Sequence, residues 1–147
     1  MSKGAAMSRL DLATAQIIVA EAIAYARQAG IEPLTVVVLD DRAAVKAAGA
    51  DDETSIARFE IARGKAAGCL AFGFGARELQ KRGPVFLTAV GQLPGVTIVP
   101  APGGVLIRDA DRAILGAVGI SGDTGENDEV AAVAGIKASG LIADTGA

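Results

Sequence analysis

Histidine is absent from this 147-residue chain. Its absence removes the commonest general base and the commonest transition-metal ligand. It also excludes Ser-His-Asp and Cys-His catalysis within the chain. Cysteine occurs once, at Cys69, so neither an intrachain disulfide nor a cysteine zinc site can form. Between Gly68 and Leu70 that cysteine reads first as small core filling and second as a free thiol. Charge of one sign is also scarce: 14 Lys and Arg face 17 Asp and Glu, a net −3. The basic residues form no cluster, which argues against a sequence-independent nucleic-acid binder. There is no GK[ST] phosphate loop, and "GFGAREL" (73–79) lacks the third glycine of a dinucleotide fingerprint. The opening "MSKGAAMSRLDLATAQ" lacks the apolar core of a signal peptide. No apolar run reaches the length of a membrane helix. The expectation is a cytoplasmic protein without a nucleic-acid or membrane partner, with a flexible tail at residues 1–8 and a single domain at 9–147.

What is present organises into helices and hairpins. Hydrophobic residues make up 51% of the chain and charged residues 21%, enough apolar surface for one packed core. Asp11 reads as the N-cap of a helix that runs to Gly30, with Ile18, Ala22 and Tyr25 on one stripe. "LTVVVL" (34–39), the turn at 40–42 and the alanine-rich "AAVKAAG" (43–49) predict a hairpin. Thr54 or Asp52 caps a second helix, "SIARFEIARGKAAGCLAF" (55–72), and a short helical piece follows at 76–82. "PVFLTAV" (84–90) and "GVTIVP" (95–100) read as short strands in a connecting region rich in Gly and Pro. A clear hairpin pairs 103–108 with 112–121, and a last helix runs from about Glu126 to Ala143. Hairpins with helices packed on them make the class α+β with an antiparallel sheet.

Two places could carry chemistry. On the second helix Ile56, Phe59, Ala66 and Leu70 share a stripe that also holds Arg63. An arginine there needs an acidic partner or an anionic ligand, so Arg63 is either a carboxylate anchor or half of a structural ion pair. Lys65 falls on a neighbouring face with Ile61, Cys69 and Phe72 and reads as solvated. The second place is "ISGDTGENDEVAAVAG" (120–135), where Glu126, Asp128 and Glu129 crowd the start of a helix. Acids suit that positive end, and Thr124 is placed to cap it. Glu126 and Glu129 alone would make only a nonspecific metal pair, so no metal site is expected. Asp128 shares its face with Ala131, Ala132 and Gly135 and is the candidate partner of Arg63.

Three segments in order, "IARGKAAGCLAFG", "PAPGGVLIR" and "GAVGISGDTGENDEVAAVAGI", together with the opening helix and strand, resemble the GlcG/HbpS family, also called DUF336 or the haem-degrading domain. The resemblance covers residues 9–142 and retains Arg63, Lys65, Glu126, Asp128 and Glu129. It implies a profilin-like three-layer α/β/α fold with a five-stranded antiparallel sheet, in a homo-oligomer. It also implies that "DDRAAVKAAGADDE" (40–53), which departs from the family's usual hairpin, borders the pocket. Haem-binding members use a histidine ligand. Here Tyr25 is a candidate ligand for ferric haem, and its place on an apolar stripe gives it a core reading too. The leading functional reading is a small-molecule-binding protein for a small organic anion, held by Arg63, Lys65, Gly103, Gly104 and Ser121. The alternative is a cofactor-independent lyase or isomerase on a small organic acid, with Asp128 or Glu60 moving the proton. Haem binding through Tyr25 stands third.

Overall fold

The computed structural model describes residues 9–95 and 97–147; the tail expected at residues 1–8 lies outside the described residues. Asp11 caps α1 (Leu12–Ala29) by accepting the Thr14 N–H at 2.8 Å, and Gly30 closes it at φ +72°. Ala15, Ile18, Ala22 and Ala26 form its buried stripe. β1 (Thr35–Asp40) and β2 (Val45–Ala50) make the first hairpin. After α2 (Ala57–Phe72) come the short α3 (Ala76–Gln80) and α4 (Pro84–Val90). β3 (Gly104–Arg108) and β4 (Ile114–Ser121) form the second hairpin, followed by α5 (Gly125–Ala138) and β5 (Ile142–Asp144).

All five strands join one antiparallel sheet in the order β2-β1-β4-β3-β5. The period-two alternation of strands sorts their side chains into two cores. Val36, Val38, Val105, Ile107, Val118 and Ile120 face α1 and α5. Val37, Leu39, Leu106 and Ala117 face α2, against Ala62, Ala66 and Cys69. The result is the expected three-layer α+β arrangement with helices on both faces. Among the described residues no helix is long and apolar enough to cross a membrane.

α2 lies close to the sheet because two glycines make room. Gly104 and Gly119 are cross-strand partners. A Cβ on Gly119 would meet the Ala62 carbonyl oxygen at 1.8 Å, and one on Gly104 would meet the Lys65 carbonyl oxygen at 2.5 Å. The helix backbone therefore rests on the bare glycine pair.

Five expectations are corrected. Residues 84–90 form α4 and not a strand, with Pro84 in the first turn, where its missing N–H is not needed. Residues 97–100 carry no strand. Neither Thr54 nor Asp52 caps α2: Ile56 holds the cap position without a side-chain bond, and the Thr54 hydroxyl donates to the Asp51 carbonyl instead. Ile56 is 96% exposed, off the buried stripe to which it was assigned. Finally, α5 stops at Ala138, Gly140 turns the chain at φ +80°, and the last residues add the edge strand β5.

Candidate functional site

The sequence candidates divide between three places. The first is a buried ion pair. Lys65 was expected to be solvated, yet it is buried at 5% exposure beneath the β4–α5 turn. Its ammonium donates to the Ile120 carbonyl at 2.9 Å and to Asp128 Oδ2 at 3.0 Å. Asp128 Oδ1 accepts the Asp123 N–H at 2.9 Å, so both carboxylate oxygens are taken. Burial pushes the Asp128 carboxyl above its ordinary value, against the Asp123 N–H and the Lys65 charge, which pull it down. Gly103 passes over the pair at φ +113°, where a Cβ would sit 2.9 Å from the Lys65 ammonium. Its carbonyl accepts the Ile120 N–H at 3.0 Å. Gly103, Gly104, Lys65 and Asp128 are thus brought together, but as a closed knot tying α2, β4 and α5.

Arg63 is elsewhere. It is exposed, beside Ala43, Ala67 and Thr97 at a cavity of about 260 Å³. The proposed Arg63–Asp128 partnership is therefore corrected: Lys65, two residues on and turned to the opposite side of the helix, is the partner. Glu60 is exposed on α2. Tyr25 is half-buried and packs against the α1-side core. Of the acids at the opening of α5, Glu126 stands in the first turn, where its charge suits the helix's positive end, whereas Glu129, expected to do the same, ties α5 to α3. Thr124 caps α5 by accepting the Asn127 N–H at 3.2 Å, and Glu129 accepts from Arg77 Nε on α3 at 2.7 Å. Cys69 is buried and its thiol is pushed up to about 12 by desolvation, which removes the reactive-thiol reading. No cluster with the makings of a metal site occurs among the described residues.

The remaining candidate, Ser121, leads to a groove that sequence reasoning missed. Ser121 ends β4 at 1% exposure, and its hydroxyl accepts from the Arg58 guanidinium at 3.0 Å. Arg58 is half-buried and has no ion-pair partner among the described residues. It lines a cavity of about 240 Å³ with Glu32, Glu53, Thr54, Ser55 and Gly122. Thr54 and Ser55 also line a larger cavity of about 420 Å³, walled by Ala48, Ala50, Ile56 and Phe59. The two together form one groove between the β2 edge and the start of α2, polar at the Arg58 end and apolar at the other.

The loop that shapes this groove is tethered at Asp51. Its carboxylate takes two bonds from the Arg27 guanidinium, and its N–H donates to the Leu34 carbonyl at 2.9 Å. The Arg27 bond holds the Asp51 carboxyl below its ordinary value of 3.8. The tether therefore contributes stability above the unfolded carboxylate range and loses it as pH falls through the lowered folded value. Arg58 escaped notice because it stands in the first turn of α2, off the apolar stripe. The signal for it was the resemblance, which put the pocket beside the 40–53 hairpin.

The family model described as haem degrading protein HbpS-like matches residues 10–137. Among solved structures, a PduOC:heme complex is 21% identical at a TM-score of 0.82, over 91% of this chain and 97% of that one. HbpS is 24% identical at a TM-score of 0.78, over 92% and 93% of the two chains. ORFY of Klebsiella pneumoniae, a DUF336 protein, is 21% identical at a TM-score of 0.78, over 97% and 98%. No curated protein matches the sequence.

Proposed function

Because the chain belongs to the family of the haem degrading protein HbpS-like model, we propose that it is a small-molecule-binding protein whose ligand is an organic anion seated on Arg58 in the groove beside α2. One observation carries this reading. Arg58 is half-buried, cannot lose its charge, and lines a cavity with the neutral Ser121 hydroxyl as its only side-chain partner among the described residues. A carboxylate placed there would accept charge-assisted hydrogen bonds from it. The Ser121 bond fixes the guanidinium in advance, so less freedom is lost on binding.

The lyase or isomerase reading is less well supported. Asp128 has both oxygens committed within the Lys65 knot, and Glu60 is exposed on α2 away from the groove lining. Haem, which the family's description names, does not suit this groove. The chain holds no histidine, Cys69 is buried, and Tyr25 belongs to the opposite side of the sheet. None of these residues lines the groove, so they do not fit haem as axial ligands there. Assembly of copies belongs to the same proposal, supported by the exposed Val85 and Phe86 of α4. Sedimentation velocity checks that part, and a monomer at working concentration would remove it.

The test of the binding site is a titration of carboxylates into the wild type, Arg58→Ala and Arg63→Ala. A lost charged hydrogen bond is worth about 1.5–3 kcal/mol, so Arg58→Ala should bind about 10–100-fold more weakly. Arg63→Ala should match the wild type. The reverse pattern would move the site to the cavity beside Thr97.

A further inference from the structure

The groove has two ends of different chemistry, and resting on the reading of Arg58 as an anion seat, we infer that its ligand is an amphipathic monocarboxylate. The head is a single carboxylate lying on Arg58, and the tail is an unbranched apolar chain lying toward Phe59.

The charge at the polar end sets the head. Among the described residues Arg58 is the one cation lining that cavity, and Glu32 and Glu53 line it too. One negative charge is matched by the guanidinium. A second, as on a phosphate monoester, would find no further cation there and would lie near the exposed Glu32 and Glu53, whose like charge disfavours it. Glu53 stands at φ +69°, a left-handed conformation that glycine adopts more cheaply. The turn thus holds a glutamate at this rim in spite of its local backbone preference.

The surface at the other end sets the tail. Ala48 and Ala50 give a flat floor on β2, because their small side chains leave the sheet uncovered between the edge strand and α2. Phe59 and Ile56 form the wall, and Ile56 is left almost wholly in water at 96% exposure. An apolar chain laid there would cover it. Thr35, Thr54 and Ser55 supply hydroxyls but no charge, so nothing at this end would pair with a second ionised group. The length of the groove, two adjoining cavities sharing Thr54 and Ser55, suits an extended ligand better than a compact one.

Calorimetric titration with acetate, octanoate and octyl phosphate tests this. Each buried methylene adds about fourfold in affinity, so octanoate should bind on the order of fiftyfold more tightly than acetate with only part of its tail seated. Octanoate should also exceed octyl phosphate by about tenfold or more, and the Glu32→Gln/Glu53→Gln variant should narrow that gap. Equal binding of acetate and octanoate would overturn the apolar tail. Octyl phosphate binding as well as octanoate would overturn the single-charge head, while leaving the Arg58 anion seat standing. Failure of all three to bind would remove both the inference and the anion seat beneath it.

Discussion

Replacing Lys65 with methionine is expected to destabilise the protein by about 3–5 kcal/mol at neutral pH, the usual cost of removing one partner from a buried pair. Natural domains have only about 5–15 kcal/mol in hand, so the variant would sit near the edge of folding. The cause is specific. Asp128 is 1% exposed, and without the ammonium its carboxylate keeps, among the described residues, the Asp123 N–H alone. The loss should shrink on acidification. Burial already raises the Asp128 carboxyl above 3.8, and Lys65 is one of the groups pulling it back down. In the variant the folded state therefore takes up a proton at a pH where the unfolded chain does not, and stability recovers as pH falls through the raised folded value. A second substitution, Asp128→Leu, should restore much of the loss, because an apolar pair of similar volume avoids burying charge at all. Urea unfolding followed by circular dichroism at several pH values reads all three. A Lys65→Met loss under about 1 kcal/mol, or one that deepens in acid, would contradict the closed-knot description.

The second large effect is at Gly119. Adding a single methyl there is expected to cost more than about 3 kcal/mol, above the ordinary range for overpacking. The obstacle is backbone: the new Cβ would fall 1.8 Å from the Ala62 carbonyl oxygen and 2.9 Å from the Ala66 nitrogen. Neither can move without shifting α2 off the sheet, and α2 carries Lys65, Arg58 and Phe59. Gly91→Ala is the matched control. Gly91 has φ −62° and its nearest neighbour at 3.4 Å, so alanine should be neutral or gain about 0.4–1 kcal/mol through the unfolded state. Thermal unfolding of the two variants side by side separates them. A Gly119→Ala protein as stable as the wild type would mean that the helix does not rest on the glycine pair.

The residues that declared themselves in the sequence were those whose local physics and tertiary surroundings agree. Asp11 and Gly30 bracket α1 because a cap and a left-handed stop act within a few residues. β1 and β4 were legible because their continuous apolar runs match burial on both faces. The misreadings have the opposite character. "PVFLTAV" has strand-like composition, but Pro84 and a short connection fold it as a helix. β5 is three residues long and acquires its identity only by pairing with β3, with Arg108 Nε donating to Asp144 Oδ2 at 2.9 Å.

The site was half legible for a related reason. Asp128 was recognised as an inward-facing acid from its small neighbours, and it is. Its partner was misassigned because a helical wheel ranks Arg63 and Lys65 by their apolar companions alone. Gly103, Gly104 and Gly119 let α2 approach so closely that a residue on the sheet-facing side must reach the β4–α5 turn. That residue is Lys65. Arg58 and Ser121 are 63 positions apart and meet only through the pairing of β4 with β1 and the packing of α2 above them. No spacing rule in the chain connects them.

A map of where a carboxylate binds tests the ligand site most directly. Backbone amide shifts of isotopically labelled protein should be followed while octanoate is added. Saturable shifts are expected at Ala48, Thr54, Ser55, Arg58 and Ser121, with Ala67 and Thr97 unmoved. Shifts gathered around Ala67 and Thr97 instead, or no saturable shift anywhere, would contradict the assignment of the groove beside α2 as the ligand site.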